Sequence, residues 1–322
     1  MTNNIDWKEI KENGGSAEAV LYVVNLAEKT KNTTYIAGNY RDSRTSFDAN
    51  MFGKPLAELK AEGIENGSIV FATVSSKGNG FLNIESMRLA TDDEKRQLAA
   101  TADIDTEAAF RELIDIVHSH KDSPFETGIT DVALGVLEEN KDAFMRSSAA
   151  CKHHHNKSGD LLLHSLRMTR AAEKIASEYT ELNDELLICA TALHDIGKIR
   201  SLETSELGIA TMTPAGVLED HALIGVLMIN EYIIKHNINI PDDCKMVLEH
   251  MIASHHGKRE FGAIQVPAIP EAMVLNYLDL IDSRMYMFIN ALEGVEGGSL
   301  SGYQEGLNTS VYNYDLNYKL YE

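Results

Sequence analysis

Up to about residue 90 the apolar positions of this chain alternate with polar ones in short runs; beyond it they recur every three to four residues. Alternation sends successive side chains to opposite faces of a strand, whereas the longer period lines one face of a helix. Strands are therefore expected over 17–26 (AEAVLYVVNL), 33–41, 44–52, 68–75 (SIVFATVS) and 80–88 (GFLNIESMR). Asn13-Gly14-Gly15, Asn66-Gly67 and Gly78-Asn79-Gly80 supply turn material around them, and PLAELKAE at 55–62 reads as a short helix. TDDEKRQLAA and TEAAFRELIDIVHSH open the helical part. Further helices are expected at 127–139, 141–151, 160–179, 184–196, 215–236, 242–255 and 269–291. Pro55, Pro124, Pro214, Pro241 and Pro270 stand at or near helix starts, where a missing N–H loses no intrahelical bond.

Strands followed by helices, without interleaving, predict two segregated domains in an α+β multidomain chain. Five short strands with a helix between the third and fourth follow the order of an OB-type barrel; another small barrel or sandwich is the alternative. The expected layout is an N-terminal extension over 1–15, the barrel over 16–90, a helical connector over 91–145, an all-α domain over 146–291 and a Tyr-rich extended tail over 292–322.

Composition narrows the class. With 322 residues and 44% hydrophobic content, the chain can bury a sizeable core, which excludes a disordered acidic protein. No run reaches about 18 uninterrupted apolar residues, so no membrane helix is expected. MTNNIDWKEI lacks a basic region followed by an apolar one, so no secretory signal is expected. Cys151, Cys189 and Cys244 are odd in number and far apart, which argues against disulfides and against a cysteine-based zinc site. A cytoplasmic protein with no membrane partner is the expectation.

The net charge of −20 argues at first against a nucleic-acid partner. Its distribution changes that picture. Residues 16–90 hold 8 basic and 8 acidic side chains, whereas residues 91–322 hold 19 basic and 38 acidic. The barrel segment is neutral and rich in aromatics, a composition suited to stacking single-stranded bases. Tyr40, Arg41 and Arg44 are the expected exposed contacts there. Tyr312, Tyr314, Tyr318 and Tyr321 in the tail either stack bases, cover a neighbouring subunit or pack on their own domain.

The acidic helical part carries most of the 12 histidines. His164 lies in LLLHSL, His194-Asp195 in ALHDIGK, His221 in LEDHALIG, His255-His256 in IASHHGK, and Asp279 and Asp282 in NYLDLIDSRM. Any one of these alone is an ordinary core or surface residue. Together they plant imidazoles beside apolar stretches that should bury them, and buried polar groups need partners. Imidazole and carboxylate donors without thiolates suit manganese, iron, magnesium or zinc.

The succession H…HD…H…HH…D on a run of helices resembles the HD-domain metal-dependent phosphohydrolase superfamily, over roughly residues 150–290. A barrel of OB type ahead of it, with SAACKHHHNKSGDLLLHSL, SHHGKREFG and NYLDLIDSRM, is similar to the YhaM-type 3′–5′ exoribonucleases. One departure is Gly159-Asp160, where that family has Gly-Gly. The resemblance implies His164, His194, Asp195 and Asp279 around one divalent cation. It implies His221, His255 and His256 around a second, with Asp195 bridging and manganese the foremost candidate. His154 and His155 match an upstream pair that lines the site or orients substrate. Lys198 is expected to meet a phosphate oxygen, with a cation answering a helix C-terminus as the alternative. Asp282 supports a ligand, pairs with Arg284 or caps a turn, and Arg284 is a candidate substrate contact.

The activity implied is two-metal hydrolysis of single-stranded RNA, or DNA, from the 3′ end to nucleoside 5′-monophosphates, by a chain that can form homo-oligomers. Two other readings stand beside it: an HD phosphohydrolase acting on a small or cyclic nucleotide, and a non-catalytic nucleic-acid-binding module.

Overall fold

The alternating segment builds a closed barrel. In the computed structural model, which describes residues 5–42, 45–98, 104–121, 127–149, 159–204 and 210–314, it contains α1 (Trp7–Asn13), β1 (Gly15–Thr30), β2 (Thr34–Arg41), β3 (Ser46–Phe52), α2 (Leu56–Ala61), β4 (Ile69–Ser76), β5 (Leu82–Leu89) and α3 (Asp92–Leu98). The hydrogen-bonded order is β1-β2-β3-β5-β4, returning to β1. Only the β3–β5 pair is parallel. This is the OB-like order that the sequence implies.

Closure depends on the length of β1. Its first half, Gly15 to Tyr22, pairs with β4, and its second half, from Tyr22 to Thr30, pairs with β2. A register shift between Val23 and Asn25 bends the strand between these tasks. Leu21, Val23, Ile36, Val70, Val74 and Ile84 point inward.

Two expectations for this unit are corrected. The segment expected as an extension carries α1 within its described residues, 5–15: capped by the Asp6 side chain, it buries Trp7 in the barrel core. The Trp7 ring lies 4.4 Å from that of Phe47, and its Nε1 donates to Asp42 Oδ2 at 2.5 Å. Tyr40 and Arg41 are buried rather than exposed, so neither presents a surface for bases. Tyr40 shares a strand face with Gly38, and a Cβ on Gly38 would lie 2.6 Å from the Tyr40 ring. The missing side chain leaves the volume that the tyrosine fills. Arg44 lies outside the described residues.

The helical unit, Thr101–Glu322, contains α4 (Thr106–Ser119), α5 (Ile129–Glu139), α6 (Lys141–Arg146), α7 (Asp160–Glu178), α8 (Asp184–Leu193), α9 (Lys198–Ser201), β6 (Leu202–Thr204), β7 (Ala210–Met212), α10 (Pro214–His236), α11 (Asp242–Ser254), α12 (Pro270–Leu292), β8 (Ser299–Gln304) and β9 (Thr309–Asn313). One apolar core runs through Phe110, Val132, Phe144, Leu166, Leu187, Ile229, Leu248 and Leu275. The expected connector, 91–145, therefore supplies α4 to α6 to that core. Helix α8 is apolar all round, so it sits at the centre with every residue from Glu185 to Leu193 buried.

The unit is not wholly helical. β6 and β7 form a small hairpin, and so do β8 and β9 in the segment expected as an extended tail. There Ser301 accepts from the Val311 N–H at 2.9 Å, and Asn313 donates to the Val295 carbonyl at 2.6 Å. Tyr312 and Tyr314 remain largely exposed; Tyr318 and Tyr321 lie outside the described residues.

Candidate metal centre

Five helices deliver polar side chains to one place. His164 comes from α7, His194 and Asp195 from the turn that ends α8, His221 from α10, His255 and His256 from the end of α11, and Asp279 and Asp282 from α12. The last carbonyls of a helix lack partners within it, and two of these histidines use them. His194 Nδ1 lies 2.8 Å from the Thr191 carbonyl oxygen and His255 Nδ1 2.7 Å from that of Ile252. A ring that donates from Nδ1 presents the Nε2 lone pair. His164 Nδ1 is held instead by Asp282 Oδ2 at 2.8 Å, and Asp282 Oδ1 is 3.1 Å from Arg167 Nε. The Asp282 carboxylate thus holds the His164 ring from behind.

The inward nitrogens form two sets. His164 Nε2 is 3.1 Å from His194 Nε2 and 3.5 Å from Asp279 Oδ1. His221 Nε2 is 3.4 Å from His255 Nε2 and 3.0 Å from His256 Nε2. In each set, three ligand atoms lie within 4.8 Å of one another. Asp195 stands between them. Its Oδ2 is 3.5 Å from His164 Nε2 and 3.3 Å from His194 Nε2, while its Oδ1 is 3.4 Å from His221 Nε2 and 3.8 Å from His255 Nε2.

The donor set fits divalent cations. Asp195 Oδ1 is buried without a hydrogen-bond partner, a costly arrangement for a carboxylate unless a cation meets it. Burial alone would raise the Asp195 pKa, but Lys198 and His194 hold it well below the usual carboxylate range. Burial and the neighbouring imidazoles hold His255 neutral by lowering its pKa. Burial also opposes a charge on His164, yet Asp279 and Asp282 outweigh it and push that ring up to about 9.

Close main-chain contacts keep the sets in place. A Cβ on Gly197 would lie 2.0 Å from the His221 carbonyl oxygen, so only glycine lets α10 approach the turn after Asp195. Asn276 Nδ2 donates to the His255 carbonyl at 2.7 Å, tying the His255-His256 turn to the helix that carries Asp279. Asp220, with φ 64° and ψ 152°, breaks α10 just before His221. A cleft of about 260 Å³ opens beside the centre, lined on its polar side by His164, Lys198, His256 and Asp279.

A family model for the HD domain matches residues 161–284, which contain every residue of the two sets, Asp195 and Asp282. Over 241 residues, 74% of each chain, the protein is 30% identical to a protein named 3′–5′ exoribonuclease YhaM from Listeria welshimeri. The chain belongs to the YhaM family. Proteins of the same name from Shouchella clausii and Bacillus subtilis are 33% identical over 191 residues and 31% over 187. They cover 59% and 58% of this chain, and 58% of each relative is matched.

In this YhaM-family chain the geometry gathers His164, His194, Asp195, His221, His255, His256, Asp279 and Asp282 as described. Lys198 Nζ lies 2.6 Å from Asp195 Oδ2 while also lining the cleft. Arg284 is exposed on α12 and does not line the cleft. His154 and His155 lie outside the described residues. At the departure Gly159-Asp160, Gly159 takes φ 86° and α7 begins at the buried Asp160. Sequence reasoning missed Asp220, Asn276 and Arg167. Asp220 precedes a histidine in LEDHALIG, and that adjacency is the one written signal for it.

Proposed function

We propose that this chain is a metal-dependent 3′–5′ exonuclease that hydrolyses single-stranded RNA to nucleoside 5′-monophosphates. The observation that carries this reading is Asp195, whose two oxygens face two histidine sets and one of which is buried without a hydrogen bond. Bound divalent ions would supply a deprotonated water near neutral pH and positive charge opposite the leaving oxygen. His164, His194, Asp195 and Asp279 would hold one ion, and His221, His255, His256 and Asp195 the other. Lys198 spends one N–H on Asp195, leaving two donors of its ammonium for a phosphate oxygen in the cleft. Hydrolysis breaks the bond from phosphorus to the 3′ oxygen, so the phosphate leaves on the released nucleotide and the shortened strand keeps a 3′ hydroxyl.

The acidic helical unit is poorly suited to gripping a polyanion, and the barrel offers what it lacks. A groove of about 640 Å³ runs past the β1–β2 turn and the β4–β5 loop, with Lys31, Tyr35, Phe52, Lys77 and Phe81 along it. Tyr35 and Phe52 stack with ring centroids 5.4 Å apart. Phe52 is 54% exposed and Phe81 61%, which leaves aromatic faces open to bases. Barrels of OB type bind strands at this pair of loops. These residues, in place of Tyr40 and Arg41, are the strand contacts we assign.

The net charge favours a second reading, hydrolysis of a small nucleotide. One experiment separates the two. With manganese, the wild-type chain should shorten 5′-labelled single-stranded RNA stepwise, stop on addition of chelator, and lose the activity in Asp195→Ala. Intact RNA alongside turnover of mono- or cyclic nucleotides would replace the exonuclease reading with the second.

A further inference from the structure

Adjacent residues on a regular helix point about 100° apart, so an aspartate there does not face the ring of the histidine that follows it. Asp220 and His221 depart from this rule. Asp220 interrupts α10 with φ 64° and ψ 152°, and the break carries its Oδ1 to 2.8 Å from His221 Nδ1. The other described non-glycine residues with positive φ, Asn237 and Asn308, sit in the left-handed region where helices commonly end. The angles of Asp220 fall in a region that glycine occupies and side chains avoid. The main chain cannot slide back toward a regular path without moving the His221 carbonyl, which is packed against Gly197.

The four rings of the two sets that have an anchored Nδ1 follow one plan. His194 and His255 are fixed by main-chain carbonyls three residues back. His164 is fixed by the Asp282 carboxylate, and His221 faces that of Asp220. Each set thus pairs a ring fixed by the main chain with a ring fixed by a carboxylate, and all four turn Nε2 inward. We propose that Asp220 is a positioning residue whose strained main chain and carboxylate fix the His221 ring so that Nε2 serves the second cation set. This role rests on the two-set reading above. The competing explanation is structural: Asp220 Oδ1 also accepts from the Ala222 N–H at 3.1 Å, as a residue that merely caps the resuming helix would.

The test uses the full chain as wild type, Asp220→Gly and Asp220→Asn, each stripped with chelator and then titrated with Mn²⁺. Glycine accepts the backbone angles without strain, so metal-free Asp220→Gly should melt no lower than wild type. It should nevertheless bind the second ion about 10- to 100-fold more weakly, the usual cost of losing a carboxylate behind a ligating histidine. Asp220→Asn keeps an acceptor and a cap and should fall between. Two ions bound by Asp220→Gly as tightly as by wild type would overturn the role, and so would a metal-free Asp220→Gly that melts well below wild type. A wild-type chain that saturates at one ion would remove the two-set reading, and this role with it.

Discussion

Asp195 divides its oxygens between two tasks. Oδ2 lies among Lys198, His164 and His194, while Oδ1 faces His221 and His255 with no hydrogen bond of its own. Around it stand residues that hold the histidine rings without lining the cleft. Asp282 is one, and Asp282→Asn should weaken binding of the ion held by His164 by about 10- to 100-fold, read by Mn²⁺ titration. Unchanged affinity would mean that the helix alone orients His164. The candidate set was legible in the chain because its histidines, taken together, stand beside apolar runs that should bury them. The strain at Asp220 was not: a dihedral worth about 1–3 kcal/mol is invisible in the letters LEDHALIG. Cys189 shows a second effect of the packed interior. Burial pushes its thiol up to about 12, whereas an unfolded thiol ionises near pH 8.5. The folded chain thus binds the extra proton between these values, and this residue's contribution makes stability fall as pH rises through that window. At pH 8 an alkylating reagent should label Cys189 only under denaturant; rapid labelling of the native chain would contradict the burial.

At the scale of elements, apolar period located every barrel strand and the principal helices, because each of these buries one face or all of its surface. What the period could not settle was which face of a half-buried strand is covered. Tyr40 reads as a candidate contact until Gly38 beside it is seen to leave a vacancy that the ring occupies. Trp7 and the β8–β9 hairpin were missed for a related reason, since both are short and packed by tertiary contacts rather than by local pattern. In the proposed function the strand contacts therefore move to the groove that holds Lys31, Tyr35, Phe52, Lys77 and Phe81. Replacing both Phe52 and Phe81 with alanine should remove about 1–3 kcal/mol of binding per stacked base while sparing the fold, because both rings are exposed. Fluorescence anisotropy with labelled single-stranded RNA and catalytically dead Asp195→Ala would read the loss. Equal affinity in the two backgrounds would move the strand elsewhere.

For the whole molecule, the charge of −20 sets how a strand can be held. The groove presents Lys31 and Lys77, so binding should displace few counterions. Two phosphate contacts on a single strand correspond to a slope of log affinity against log salt of about −1.4, and a slope steeper than about −4 would require more cations than line this groove. The acidic excess belongs to the helical unit, where carboxylates and imidazoles converge on the two sets around Asp195. Electron paramagnetic resonance of the Mn²⁺-loaded chain would show whether that carboxylate joins two ions. Two ions per chain with an exchange-coupled spectrum, lost in Asp195→Ala, is the expected result. A single ion, or two that show only the uncoupled spectrum of isolated Mn²⁺, would contradict it.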